Sequence, residues 1–245
     1  MRVVIAPDSF KESLSASQVA RAISKGVRNA CPQADVICIP MADGGEGTVE
    51  ALIMATSGYQ VSAPSVDALN RPVDSFYGVL GDGLTAVVEM AAASGLELLL
   101  PEERNPMIAT TFGTGLLIRA AIDAGFRKII VGIGGSATND GGAGMAQALG
   151  FRLLNENGSE IDPGGGSLGQ IYRIDHSQVH PRLKEVEITI ACDVQNPLLG
   201  ISGATRVYGL QKGATAGMLE DLEQNMEHYA RILHQEFGVD YANLP

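Results

Sequence analysis

Arg2-Val3-Val4-Ile5-Ala6-Pro7 opens the chain, followed by the loop Asp8–Leu14 and then by Ser15-Ala16-Ser17-Gln18. The run Arg2–Ala6 is apolar after its first residue, too short for a helix, and stopped by a proline. It therefore reads as a strand buried on both faces. Ser15 with Gln18 three residues on forms a capping box, which predicts a helix start. Val19, Ala22, Ile23, Val27 and Ala30 keep helical spacing until Pro32 closes the unit. Val36–Ile39 is a second apolar run. It leads into Asp43-Gly44-Gly45-Glu46-Gly47 and a helix over Thr48–Thr56 that ends near Gly58. Strand, helix, strand, helix is the pattern of an α/β fold with parallel strands covered by helices.

Working outward, the texture changes at Tyr59. Gln60–Val66 and Val73–Val79 are more polar and alternating, and Asn70-Arg71-Pro72 between them signals a turn. A domain boundary is expected near Ser65, dividing residues 1–65 from 66–245. Thr85–Met90 reads as a strand, Leu116–Ala124 as a helix stopped by Gly125, and Lys128–Ile133 as the most apolar strand. Phe151–Leu154 and Ser159–Ile161 suggest a hairpin across Asn157-Gly158. Pro163–Gly169 reads as a glycine-rich surface loop. Glu185–Cys192 alternates so that Val186, Ile188, Ile190 and Cys192 should share a buried face. A long amphipathic helix, roughly Met218 to Phe237, carries Leu219, Leu222, Met226, Tyr229 and Leu233 on one stripe.

Composition narrows the function classes. The 28 acidic against 17 basic residues leave a formal charge of −11, which lacks the basic footprint that nucleic-acid backbones require. A small anionic substrate stays compatible, because a site can be locally positive on an acidic protein. No apolar run is long enough to span a membrane, and the first residues show neither an h-region nor a cleavage site. Cys31, Cys38 and Cys192 share no metal-ligand spacing and read as buried thiols of a cytoplasmic protein. Composition leaves room for a homo-oligomer.

Four expected strands end in loops that carry a carboxylate: Asp8-Ser9-Phe10-Lys11, Asp43-Gly44-Gly45-Glu46, Asn139-Asp140-Gly141-Gly142, and Asp193-Val194-Gln195-Asn196. Ligands of open α/β sheets bind at the carboxyl ends of strands, so acids recurring there suggest a site. Any single one of them could instead cap a helix or start a turn. The densest signal is Gly132-Ile133-Gly134-Gly135-Ser136-Ala137-Thr138-Asn139-Asp140-Gly141-Gly142-Ala143-Gly144, with six glycines in thirteen residues. Such a backbone can form an anion-binding nest, helped by the N-terminus of the following helix and by the Ser136 and Thr138 hydroxyls. Loop geometry alone could also demand the glycines. Lys11 and Lys212 sit close to glycines or acids, where a lysine can partner phosphate. His176, His180, His228 and His234 fall in polar or helical-surface contexts and make poor candidate bases.

A dinucleotide site is the competing reading. Gly132, Gly134 and Ala137 satisfy G-x-G-x-x-A, and Glu156 follows at about the expected 20 residues. Thr138–Gly142 then intervenes where a long helix should already have begun, so an NAD-dependent dehydrogenase is the weaker alternative. No G-x-x-x-x-G-K-[ST] phosphate loop occurs.

Taken together, Ala6-Pro7-Asp8-Ser9-Phe10-Lys11-Glu12-Ser13-Leu14-Ser15, Ala42–Thr48, Gly132–Met145, Ala191-Cys192-Asp193 with Asn196-Pro197-Leu198, and Gln211-Lys212-Gly213-Ala214 resemble, in the same order, the motifs of bacterial glycerate kinases. The resemblance covers essentially the whole chain; Leu210 stands where that family usually has proline. It implies a flavodoxin-like parallel-sheet domain built from both chain ends, an inserted mixed α/β domain, and an active site between them. It also implies ATP and Mg²⁺ acting on D-glycerate, with 2-phosphoglycerate as product, in glucarate, galactarate or glyoxylate use. Family members run about half as long again, so an inactive fragment that only binds an anion or partner is a further expectation. On this reading, Gly134, Gly135, Ser136, Thr138, Asn139, Asp140, Gly141 and Gly142, with Ser9 and Lys212, hold the anionic groups. Asp43, Glu46 and Asp193 are the expected Mg²⁺ ligands. Asp8 or Asp193 takes the hydroxyl proton, and Lys11 neutralises a carboxylate or phosphoryl group.

Overall fold

The computed structural model describes residues 1–10 and 13–242. Strand β1 (Arg2–Ile5) pairs in parallel with β2 (Asp35–Cys38), and helix α1 (Ala16–Ala30) connects them. The expected capping box is present: Ser15 Oγ accepts from Gln18 N, and the Gln18 side chain accepts from Ser15 N. β1 differs from the expectation of a strand buried on both faces. Only Ile5 is buried, while Val4 is 56% exposed, and Ile37 of the neighbouring strand and Ile39 just after it are exposed as well. α1 packs on this two-stranded sheet, and among the described residues nothing covers the rest of these side chains.

Helix α2 (Thr48–Thr56) follows, and β3 (Tyr59–Val66) and β4 (Pro72–Val79) form an antiparallel pair. β5 (Thr85–Glu89), α3 (Ala91–Ser94), α4 (Phe112–Asp123) and β6 (Lys128–Gly132) come next. β9 (Glu187–Ala191) completes a five-stranded mixed sheet of order β3-β4-β5-β6-β9, in which β5, β6 and β9 run parallel. α2 packs on β3, β4 and β5, and Ser65 lies inside β3. The core forms where Leu117, Ile118, Ala121 and Ile122 of α4 meet Val79, Ala86, Val88, Ile129 and Val131. Burying each of these larger side chains contributes about 1.5–3 kcal/mol. All five residues of β5 are buried, which suits the central strand of a sheet covered by helices.

After α5 (Ala143–Ala148), the segment β7 (Arg152–Leu154) pairs with β8 (Arg173–Asp175). The hairpin expected with Ser159–Ile161 is reduced to a tight turn with one bridge, Leu154 to Glu160. Pro163–Gly169 is no surface loop. Residues Gly165–Gln170 form a 3-10 turn with Leu168 fully buried, tied to the last helix by Asn225 Nδ2, which donates to Gly165 O at 3.1 Å and Gly166 O at 3.0 Å. That helix, α7 (Ala216–Phe237), follows the short α6 (Ala204–Tyr208) and buries Leu222, Met226 and Tyr229 as its stripe predicts.

The face of β9 expected to be buried is open instead: Ile188 and Ile190 are exposed, and so is Cys192. Among the described residues β9 is an edge strand, paired only with β6. Of the other thiols, Cys31 is half-buried and Cys38 exposed, and none of the three forms a disulfide. Among the described residues no helix is long and apolar enough to cross a membrane.

Candidate functional site

Glu89, Gly132 and Ala191 lie in register as the last residues of the three parallel strands. This carboxyl edge is where an α/β sheet presents its ligands. The turn that follows β2, Asp43–Gly47, lies directly on it. Gly134 N donates to Gly44 O at 3.0 Å, and Ile133 N to Ala191 O at 3.3 Å. A Cβ on Gly132 would stand 2.4 Å from Gly44 O, and one on Gly134 would stand 2.7 Å from Gly45 Cα. Two backbones meet there without room for a side chain. These glycines therefore serve the contact between two turns, where the sequence alone suggested approach to a ligand.

The contact gathers residues from distant parts of the chain around one cleft of about 390 Å³. Asp43, Gly134, Gly135, Ser136, Asp193, Tyr208 and Lys212 are among its lining residues. Lys212 Nζ donates to Ser136 Oγ at 2.8 Å and to Thr138 O at 2.6 Å. Burial pulls its pKa down to about 8, with the Asp140 charge opposing the shift. A desolvated ammonium held by two neutral oxygens is well placed to receive an anion. Asp43 and Asp193, both exposed, line the same cleft.

The remaining expected site residues divide. Asn139 and Asp140 face inward. Asn139 Nδ2 donates to Thr205 Oγ1 at 3.1 Å. Asp140, 1% exposed, accepts through Oδ2 from Thr111 N (2.8 Å), Thr111 Oγ1 (2.9 Å) and Gly144 N (3.2 Å), and through Oδ1 from Gly142 N (3.2 Å). The anion expected at the N-terminus of α5 is thus the protein's own carboxylate. That places Gly141, Gly142 and Asp140 in a structural knot, outside the cleft lining. It also removes the pyrophosphate seat that a dinucleotide reading needs. Thr138 is buried and reaches the cleft only through its carbonyl contact with Lys212.

Glu46 lines a neighbouring cleft with Ser13, Gln18, Glu97 and Arg104. The three expected metal ligands do not converge: among the described residues no group of three potential ligands exists. Asp43 and Asp193 share a cleft, and two carboxylates suffice for Mg²⁺ when substrate phosphates complete the shell. Asp8 is exposed, accepts from Ser9 N at 2.6 Å, and is not among the cleft-lining residues; neither is Ser9. Lys11 lies outside the described residues.

Sequence reasoning missed two residues. Tyr208 lines the cleft and donates to Asn196 Oδ1 at 2.6 Å, fixing the loop that carries Asp193. Glu89 is 5% exposed and accepts from Val49 N at 2.9 Å, beside the Gly47 and Thr48 amides at the start of α2. Burial raises its pKa, partly offset by these amides. A carboxylate closing an otherwise apolar strand was the available signal.

The chain is 56% identical over 243 residues to a Bacillus subtilis (strain 168) protein named glycerate kinase, covering 99% of this chain and 64% of that one. It is 54% identical over 245 residues to glycerate 2-kinase of Escherichia coli K12, covering 100% and 64% respectively. A crystal structure of a protein provisionally named glycerate kinase 2, from Salmonella typhimurium LT2, superposes with a TM-score of 0.85 at 52% identity, covering 100% of this chain and 65% of that one. The chain therefore spans just under two thirds of the length of these relatives. A model of the glycerate kinase family matches residues 3–245, and the chain belongs to that family.

Proposed function

We propose that this protein transfers the γ-phosphoryl group of ATP to D-glycerate, giving 2-phosphoglycerate. The observation that carries the reading is the convergence of Asp43, Ser136, Asp193 and Lys212 on one cleft at the carboxyl edge of a parallel sheet. The product assignment draws on the relative named glycerate 2-kinase. Phosphoryl transfer asks a protein for positioning and charge neutralisation. Lys212 directs its charge at the transferring group while Ser136 holds the ammonium in place. Asp43 and Asp193 would hold Mg²⁺, which neutralises phosphate oxygens when bound. Asp193 accepts the proton of the glycerate 2-hydroxyl as that oxygen bonds to the γ-phosphorus and the bond to the ADP oxygen breaks. Asp193 is preferred over Asp8 because only Asp193 lines the cleft.

The same reading has one unit built on the β1–β2 sheet and another on the five-stranded sheet, with chemistry between them. The exposed Val4, Ile37 and Ile39 support further strands packing on the smaller sheet. It places the activity in cytoplasmic breakdown of organic acids. The test is a coupled ATP assay with D-glycerate, with the product position read by phosphorus NMR. Asp43→Asn and Asp193→Asn should each lower kcat by at least about 100-fold. Near-parental turnover in both variants, or ATP loss without a phosphorylated acid, would overturn the proposal.

A further inference from the structure

We infer that Glu89 is a positioning residue: its side chain, set into the first turn of α2, holds the Asp43–Gly47 turn against the carboxyl edge of the sheet. The consequence for catalysis rests on the phosphoryl-transfer reading above; the mechanical claim does not.

An ordinary cap is local. The N-cap of α2 is Gly47, whose φ of 82° makes it a left-handed turn residue, and no side chain of its own offers an acceptor. The acceptor comes instead from Glu89, forty residues away in sequence, at the end of the central strand β5. Glu89 thus joins α2 to the sheet, while the Gly134 to Gly44 bond joins the other end of the same turn to the loop after β6. Glu46 lies between these two anchors, and Asp43 immediately precedes the first of them. Burying a carboxylate is unfavourable unless donors surround it. Here Val49 N donates to it at 2.9 Å, and the neighbouring Gly47 and Thr48 amides and the positive end of the helix favour its charge. Nearby Glu50 opposes the charge. Substrate never needs to touch Glu89, because its effect passes through the backbone of the turn.

Hydrogen exchange of the full 245-residue chain, read by mass spectrometry, separates a positioning role from a general structural one. In Glu89→Ala, amides of residues 44–49 should exchange at least about tenfold faster while β6 and α4 keep their protection. Mn²⁺, used as a paramagnetic probe, should bind about 10–100-fold more weakly. Unchanged exchange at residues 44–49 would overturn the inference, and so would an even loss of protection across β6 and α4. Where Glu89→Ala fails to fold, Glu89→Gln decides. It keeps one acceptor but sets an NH₂ against the helix amides, and should speed exchange at 44–49 by about threefold or more. Parental exchange there would refute the role. Because exchange needs no substrate, a failed glycerate assay alone would count against the proposed reaction and leave this inference standing.

Discussion

Replacing Asp140 by alanine tests whether the glycine-rich loop is organised by an internal carboxylate or by a ligand. The substitution strips the acceptor from three backbone amides, Thr111 N, Gly142 N and Gly144 N, and from the Thr111 hydroxyl. A buried donor left without a partner costs about 1–3 kcal/mol. Gly142 is only half-buried and water can reach it, so the sum after relaxation is on the order of 4 kcal/mol. Against a total stability of about 5–15 kcal/mol, that is a large share. With a urea slope of about 3 kcal/mol/M, the midpoint followed by circular dichroism should fall by roughly 1–2 M. Asp140→Asn keeps one carbonyl oxygen but turns an NH₂ toward an N–H, which should cost about half as much. It also removes the charge that favours protonated Lys212, so the lysine should titrate below about 8. A midpoint for Asp140→Ala within about 0.3 M of the parent would refute the reasoning. An added phosphate that restored the lost stability would show that the loop was built for an outside anion.

Lys212 should lose its proton as pH rises through about 8, so phosphate affinity should fall above that pH. Lys212→Met should bind phosphate about 10–100-fold more weakly and lose the pH dependence; retention of either would remove Lys212 from the site. Because the folded pKa lies below the unfolded 10.5, the unfolded chain holds more protons between about pH 8 and 10.5. The contribution of this lysine to stability should therefore rise with pH across that window, and Lys212→Met should flatten the rise in urea titrations. Gly132→Ala places a methyl 2.4 Å from Gly44 O, backbone against backbone, and should destabilise by about 1–3 kcal/mol. Gly26→Ala, in α1 with nothing within 4 Å of the new Cβ, is the control and should raise stability by up to about 1 kcal/mol.

Much of the fold was legible because it is written in near neighbours. The Ser15–Gln18 box, the span Thr48–Thr56, the Asn70 turn and the stripe of the last helix each depend on residues within about one helical turn or one strand step. Where burial was asked of sequence, the answer depended on what lies across the sheet. Val4, Ile188 and Ile190 are as apolar as core residues yet exposed, because nothing among the described residues packs over them. Pro163–Gly169 misled in the opposite sense. Its glycines admit α7 at close quarters, as the 2.6 Å between a Gly165 Cβ and Leu222 shows.

The sequence by itself determined that carboxylates and glycines recur at strand ends, that Lys212 sits beside glycines, and that the chain is an α/β protein. Only the tertiary structure decided what each acid does. Asp140 and Asp193 both follow strands, yet one is enclosed by amide donors and the other faces a cleft. Glu89 looked like part of a strand and is the anchor of a helix forty residues earlier. The role of a charged group is set by which donors surround it and whether water reaches it, and those neighbours come from segments that meet only when the chain folds.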